Sequence, residues 1–291
     1  MDEQDSGAEG GCECDADLRR AGSRRDAVHC NHDRAHYLLR VASELPGSRM
    51  RNWPPRAGTR PQNELAFVRG RAAVATFSWS PTFKQPASSR TAGQARYETR
   101  ILVRRPSDPA RFNGTVVVEW LDAPGGVEGD PEFLWENAEL LRAGFAWVGV
   151  TTDGTVGQPD SIPWLKLEDP SRYGVLMGPG NECGYSIYSQ AAEALLHPDG
   201  TNPLGSLHPT ALIADGDSGA AHPLVTYANA IQPVDRLFDG FLIHNRGSNS
   251  AAIGEGQPKP ADARTRTDRG VPVLTVESES DVLDPGVPAL D

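Results

Sequence analysis

No stretch of the 291-residue sequence approaches the roughly 20 consecutive apolar residues that cross a bilayer as a helix, so no membrane span is expected. Residues 1–14 are acidic and glycine-rich and lack the basic start and apolar run of a secretory signal, so a cytoplasmic location is expected. Cysteine is scarce, with four residues, and without an export signal a disulfide framework is not expected. Three of the four, Cys12, Cys14 and Cys30, lie beside His29, His32 and His36. These are good zinc ligands by type, but their spacing fits no finger pattern, so no metal site is expected, and no cofactor. No internal repeat is present, which excludes solenoids and propellers. Lysine is nearly absent (Lys84, Lys166 and Lys259), so the positive charge is almost all arginine.

The charge is divided unevenly along the chain. Residues 1–111 hold 19 Lys+Arg against 13 Asp+Glu, whereas residues 112–291 hold 9 against 26. A second part this acidic would repel phosphate, which excludes nucleic acid as the main partner. Residues 1–60 are rich in Gly, Asp, Arg and Pro and read as an irregular or disordered extension, with one short helix predicted over 36–45. The domain is expected over 65–291.

Within that domain strands and helices alternate. Strands are predicted at 66–80, 97–104, 115–121 (TVVVEWL), 145–151 (FAWVGVT), 210–214 (TALIA), 238–244 (FDGFLIH) and 271–276 (VPVLTV). Helices are predicted at 133–143, closed by Gly144, at 185–196, and at 219–231, stopped by Pro233. Most of the strands are continuous apolar runs, which implies an α/β fold with a mainly parallel sheet covered by helices on both faces. Residues 154–183 form a long Gly/Pro-rich connection whose aromatic and aliphatic side chains, Trp164 among them, are expected to wall a pocket.

In such a sheet the chemistry lies beyond the carboxyl ends of the strands. Strand 210–214 is followed by Asp215-Gly216-Asp217-Ser218-Gly219-Ala220 and then a helix. A serine on a sharp strand-to-helix turn is a nucleophile elbow, which needs small residues two positions either side, and Gly216 and Ala220 meet that need. The Gly219 N–H is one oxyanion donor, and Leu121 or Asp122, in the loop after 115–121, is expected to supply the second. After 271–276 comes Glu277-Ser278-Glu279-Ser280-Asp281, where Asp281, or alternatively Glu279, is the candidate acid. The chain order for this arrangement is serine, acid, histidine, yet none of the seven histidines follows Asp281. His244 and Arg246, at the end of strand 238–244, are expected to line the pocket.

Several segments in order carry a resemblance: YETRILVRRPSDPARFNGTVVVEWL, LLRAGFAWVGV, DPSRYG, ALIADGDSGA, LVTYANAIQPVDRLFDGFLIHNRG and VPVLTVESESDVL. Together they resemble a family of bacterial α/β-hydrolase-domain proteins over residues 65–285. The family's elbow reads G-E-S-Q-S where this chain has Gly216-Asp217-Ser218-Gly219-Ala220, and its glutamate and aspartate after the last strand match Glu279 and Asp281. Its histidine lies in a later Gly-x-x-His segment that this sequence does not contain, and Pro223 stands where an arginine is usual. The resemblance implies an esterase-like serine hydrolase acting on a small ester, amide or lactone, incomplete at its C-terminus and short of its histidine. The alternative it leaves open is an inactive hydrolase-fold binding protein.

Overall fold

The computed structural model describes residues 40–42, 61–80, 85–152, 161–178, 183–200, 202–247, 249–252, 264–266, 268 and 270–283, with side chains from residue 95 onward, Pro124 excepted. Cys12, Cys14, Cys30, His29, His32, His36 and most of the 1–60 extension lie outside the described residues.

Eight strands form one sheet: β1 (Arg40–Ala42), β2 (Pro61–Ser80), β3 (Gln85–Pro106), β4 (Thr115–Trp120), β5 (Ala146–Val150), β6 (Ala211–Asp217), β7 (Gly240–His244) and β8 (Val273–Val276). Their spatial order is β1-β2-β3-β5-β4-β6-β7-β8. The five strands from β5 to β8 are parallel, and β1, β2 and β3 add an antiparallel edge. β4 and β5 are central, and every residue of both is buried except Thr115. Their β-branched runs suit a strand that faces apolar surface on both sides.

The connecting helices lie on the two faces. One face carries α1 (Pro131–Ala143), where Val117, Leu121, Trp147 and Leu140 pack together. The other face holds the larger core, in which Val116, Val118, Trp120 and Val148 meet Tyr188 of α4 (Gly184–Leu196) and Leu224 of α5 (Ala221–Thr226). Gly144 closes α1 in the left-handed region, at φ 81°, and its N–H donates to Leu140 O. A side chain there would strike the Arg111 carbonyl at 2.1 Å, so only glycine fits.

Four readings need correction. Part of the helix expected over 36–45 is instead the edge strand β1, because pairing Arg40–Ala42 with Leu65–Phe67 satisfies its backbone groups and overrides a weak local helix preference. The strand expected at 210–214 runs on to Asp217, because β7 offers partners as far as His244. The helix expected over 219–231 begins at Ala221 and passes through a π-helical turn, Tyr227–Ile231. It continues as α6 (Gln232–Asp235), where Pro233 sits in a first turn that has no use for its missing N–H. Finally, the 154–183 connection holds α2 (Ile162–Glu168) and α3 (Pro170–Tyr173), and a short α7 (Glu279–Leu283) follows β8. Among the described residues no helix is long and apolar enough to cross a membrane.

Candidate active site

Ser218 follows the last residue of β6 and has φ 52°, in the left-handed region that a non-glycine residue seldom adopts. The turn is held from both sides: Ser218 N–H donates to His244 O at 3.0 Å, and Ala221 N–H donates to Ser218 O at 3.2 Å. Close packing explains the small residues around it. A methyl group on Gly216 would lie 2.8 Å from Leu224 Cδ1 and 3.3 Å from Ala220 O, and Ala220 is itself fully buried. Ser218 is exposed. Among the described residues its hydroxyl has no hydrogen-bond partner, and the Gly219 N–H has no acceptor. The elbow therefore presents an accessible hydroxyl beside an unused donor, which is the local geometry that nucleophilic attack and oxyanion binding require.

The loop after β4 reaches this turn. Leu121 is not a free donor, because its N–H is used by the sheet, bonding Val150 O at 3.2 Å. That leaves Asp122 of the two residues proposed from sequence. Its carbonyl accepts from Gly129 N at 2.8 Å, and its carboxylate accepts from Ala123 N at 3.0 Å and lies against the Ala220 N–H of the elbow. Burial pushes this carboxyl up to about 6, and the nearby Asp217 charge adds to the rise. The loop is anchored by Glu128, which accepts from Arg100 Nε (3.2 Å) and Nη2, Thr151 Oγ1 (2.9 Å) and Ser161 Oγ (3.2 Å). Arg100 Nη1 in turn donates to Tyr173 Oη at 2.8 Å, so one buried ion pair ties β3, the Asp122 loop and α3 together. Trp164 packs with Ile162, Leu165, Tyr173 and Leu176 beside Leu102 of β3, which locates the α2–α3 segment over that strand.

The segment after β8 delivers three carboxylates, Glu277, Glu279 and Asp281. Asp281 lies in α7 and is close enough for its charge to act on Asp217 and Glu277, but its carboxylate accepts from Ser278 N at 3.1 Å and from Ser278 Oγ. Its carboxylate is bonded within its own turn. Glu279 is exposed. The buried carboxylate of this segment is Glu277: its Oε2 accepts from Gly247 N at 3.1 Å and its Oε1 lies 3.9 Å from Arg246 Nε. Arg246 is thus half of a buried pair, and Asn245, at φ 49°, donates from Nδ2 to Asp217 Oδ1 at 2.6 Å.

The His244 ring is held by a carboxylate of α1. Its Nδ1 lies 2.6 and 2.5 Å from the two carboxylate oxygens of Glu132, in the first turn of α1, and this bond raises the imidazole pKa above its ordinary value. It is a strand-end residue bonded to the first turn of α1, and its charge acts on Asp217, the residue before Ser218. Two further carboxylates lie on the α1 face, in register on adjacent strands: Glu119 of β4 and Asp215 of β6. Glu119 accepts from the N–H groups of Glu132 (3.2 Å) and Phe133 (3.0 Å) and from Trp147 Nε1 (2.8 Å), capping α1 from the sheet. Burial nonetheless pushes it up to about 8. The signal for both was present in the sequence, since each is a charge inside an otherwise apolar strand.

A mainly parallel sheet with helices on both faces and a serine held at positive φ between strand and helix defines an α/β-hydrolase architecture. The chain belongs to the alpha/beta hydrolase domain family, whose model matches residues 21–290. The match begins well before residue 65, nearer the N-terminus than the quoted segments indicated. Similar solved structures include a putative dienelactone hydrolase from Klebsiella pneumoniae, with 14% identity, TM-score 0.40, and 76% of this chain and 75% of that one covered. A glucuronoyl esterase from Teredinibacter turnerae has 12% identity and TM-score 0.40, with 84% and 62% covered. One from Solibacter usitatus has 10% identity and TM-score 0.36, with 79% and 54% covered. The chain thus spans little more than half the length of these two esterases. No curated protein matches it in sequence.

Proposed function

We propose that the protein is a serine acyl hydrolase acting on a small carboxyl ester, amide or lactone. In this reading Ser218 Oγ attacks the carbonyl carbon, its proton passes to a base, and the oxyanion is held by the Gly219 N–H with the backbone of Asp122. Collapse of the tetrahedral adduct breaks the carbonyl–leaving-group bond, the base returns its proton to the departing oxygen or nitrogen, and an acyl group is left on Ser218. Water then attacks that ester, the base passes its proton to Ser218 Oγ, and the carboxylic acid is released. Asp281, with Glu279 or Glu277 as the alternative acid of the same segment, orients the base. The observation that carries the reading is Ser218 at φ 52° on the strand-to-helix turn, exposed and next to the Gly219 N–H, which has no acceptor among the described residues.

One observation favours the second reading, a hydrolase-fold binding protein without turnover: among the described residues no imidazole bonds the Ser218 hydroxyl, and His244 bonds Glu132 instead. A serine without a base is a poor nucleophile. Hydrolysis of a short activated ester by the wild-type chain and by Ser218→Ala separates the two. Turnover that falls by at least about 100-fold in Ser218→Ala supports the hydrolase. A rate equal in both chains, with no labelling of Ser218 by a fluorophosphonate, overturns it in favour of the binding protein.

A further inference from the structure

We propose that Glu132, Asp215 and His244 form a binding site for one divalent transition-metal cation, of the zinc or manganese class, between α1 and the carboxyl ends of β6 and β7. The three come from separate elements and meet on one face of the sheet. The register that pairs Asp217 with His244 places Asp215 and His244 on the α1 side, and Glu132 descends from the first turn of α1. One ligand atom from each lies within 4.8 Å of the others.

Asp215 is the observation that points to a ligand. It is 0% exposed, and among the described residues neither carboxylate oxygen meets a donor in hydrogen-bond geometry, the Gly216 N–H of its own chain being the one donor close to it. A carboxylate removed from water without a donor is strongly disfavoured, and native structures pair or coordinate such groups. The charges that bear on Asp215 deepen the deficit, since they belong to Glu132, Glu119 and Glu136, all carboxylates. Within this group only His244 can carry positive charge, and it already bonds Glu132. A dication would give Asp215 its missing partner and offset the accumulated negative charge.

The donor set selects the kind of ion. One imidazole nitrogen with two carboxylate oxygens suits Zn²⁺ or Mn²⁺ better than Mg²⁺ or Ca²⁺, which prefer all-oxygen shells. His244 Nδ1 and the nearer Glu132 oxygen are 2.5 Å apart, closer than two ligands of one ion stand, about 3 Å. Binding therefore separates them by about half an ångström, with the cation replacing the proton they share. His244 keeps a side-chain exposure of 14%, which gives the ion a route in and leaves room for water to complete its shell. The His244 carbonyl also accepts the Ser218 N–H, so the bound ion would brace the elbow from below.

The test uses the full chain, stripped with chelator and titrated with Co²⁺ and then with Zn²⁺. We expect uptake of one equivalent of Co²⁺ with visible ligand-field bands and no intense near-ultraviolet thiolate band. Zn²⁺ should displace it, and the melting temperature should rise with metal concentration. Asp215→Asn should weaken binding at least tenfold, with folding checked by circular dichroism. Should that chain fail to fold, His244→Gln, at the partly exposed rim, carries the same expectation. A triple Cys12→Ser, Cys14→Ser, Cys30→Ser chain should bind as tightly as wild type. No stoichiometric uptake overturns the site and leaves the carboxylates neutralised by protons. A thiolate band lost in the cysteine variant also overturns it, in favour of the N-terminal residues, as does Asp215→Asn binding like wild type.

Discussion

The Glu128–Arg100 pair is the interaction on which the loop carrying Asp122 most depends, and removing one charge measures that dependence. The Arg100 and Glu128 side chains are only 9% and 2% exposed, and Glu128 collects three donor groups besides the Arg100 Nη2 contact. Glu128→Gln keeps the shape but not the charge. It also turns an NH₂ group toward donors, and it leaves a buried guanidinium with Tyr173, at 2.8 Å from its hydroxyl and 4.9 Å from its ring centre, as its main remaining support. Breaking a buried ion pair from one side costs about 3–5 kcal/mol, against a total stability of about 5–15 kcal/mol. With a urea slope near ~3 kcal/mol per molar, the unfolding midpoint should fall by about 1–2 M. Replacing both partners, Arg100→Met with Glu128→Leu, removes the stranded charge and should recover most of that loss. The measurement is equilibrium urea denaturation of the wild-type chain, Glu128→Gln and the double variant. A Glu128→Gln midpoint within about 0.3 M of wild type at an unchanged slope would refute the reasoning, because it would mean water reaches the pair.

Other expectations follow from the same site. Ser218→Gly should abolish ester turnover and still melt higher than Ser218→Ala, by up to ~1 kcal/mol, because glycine accepts φ 52° without a Cβ penalty; equal melting temperatures would mean the turn is unstrained. Gly216→Ala should cost about 1–3 kcal/mol by pressing on Leu224 and the Ala220 carbonyl, and Leu224→Val should restore part of it in thermal melts. The Asp122 carboxyl is raised to about 6 from an ordinary 3.8, so the folded chain holds that proton more tightly than the unfolded chain does. Its contribution to stability is therefore full below pH 4 and is lost as pH rises from about 4 through 6. Asp122→Asn should flatten the urea midpoint across that window, and an unchanged slope with pH would contradict the assignment.

The elbow was legible because its chemistry is local: a β-branched run, a turn of small residues and a helix lie consecutively in 210–231. The parallel sheet was legible for a similar reason, since strands buried on both faces need no alternation. What escaped depended on partners distant in sequence. Leu121 read as a free donor because its bond to Val150 exists only once β4 and β5 pair. The bond between His244 and Glu132 was hidden because nothing in 238–247 reveals that α1 begins at Pro131 and brings Glu132 down on it. The burial of the Glu277 side chain was hidden because it comes from Arg246 and Gly247, some 30 residues earlier. Glu119 and Asp215 were the most readable of the misses, since a carboxylate in the middle of VVVEWL or ALIADGD must find a compensating partner.

One residue joins α1 to the elbow. The His244 ring is bound to α1 through Glu132, while its carbonyl receives the Ser218 amide hydrogen on the side of the elbow. Ser218 follows a strand, yet its amide proton is shielded only while the last residue of β7 stays in place. In hydrogen exchange that proton should therefore leave with the β7 amides rather than with those of α5, and loosening α1 should quicken it. The position of the nucleophile is thus tied to a helix on the opposite side of the sheet from α5, so a disturbance of α1 can shift the hydroxyl without any change in the residues around it.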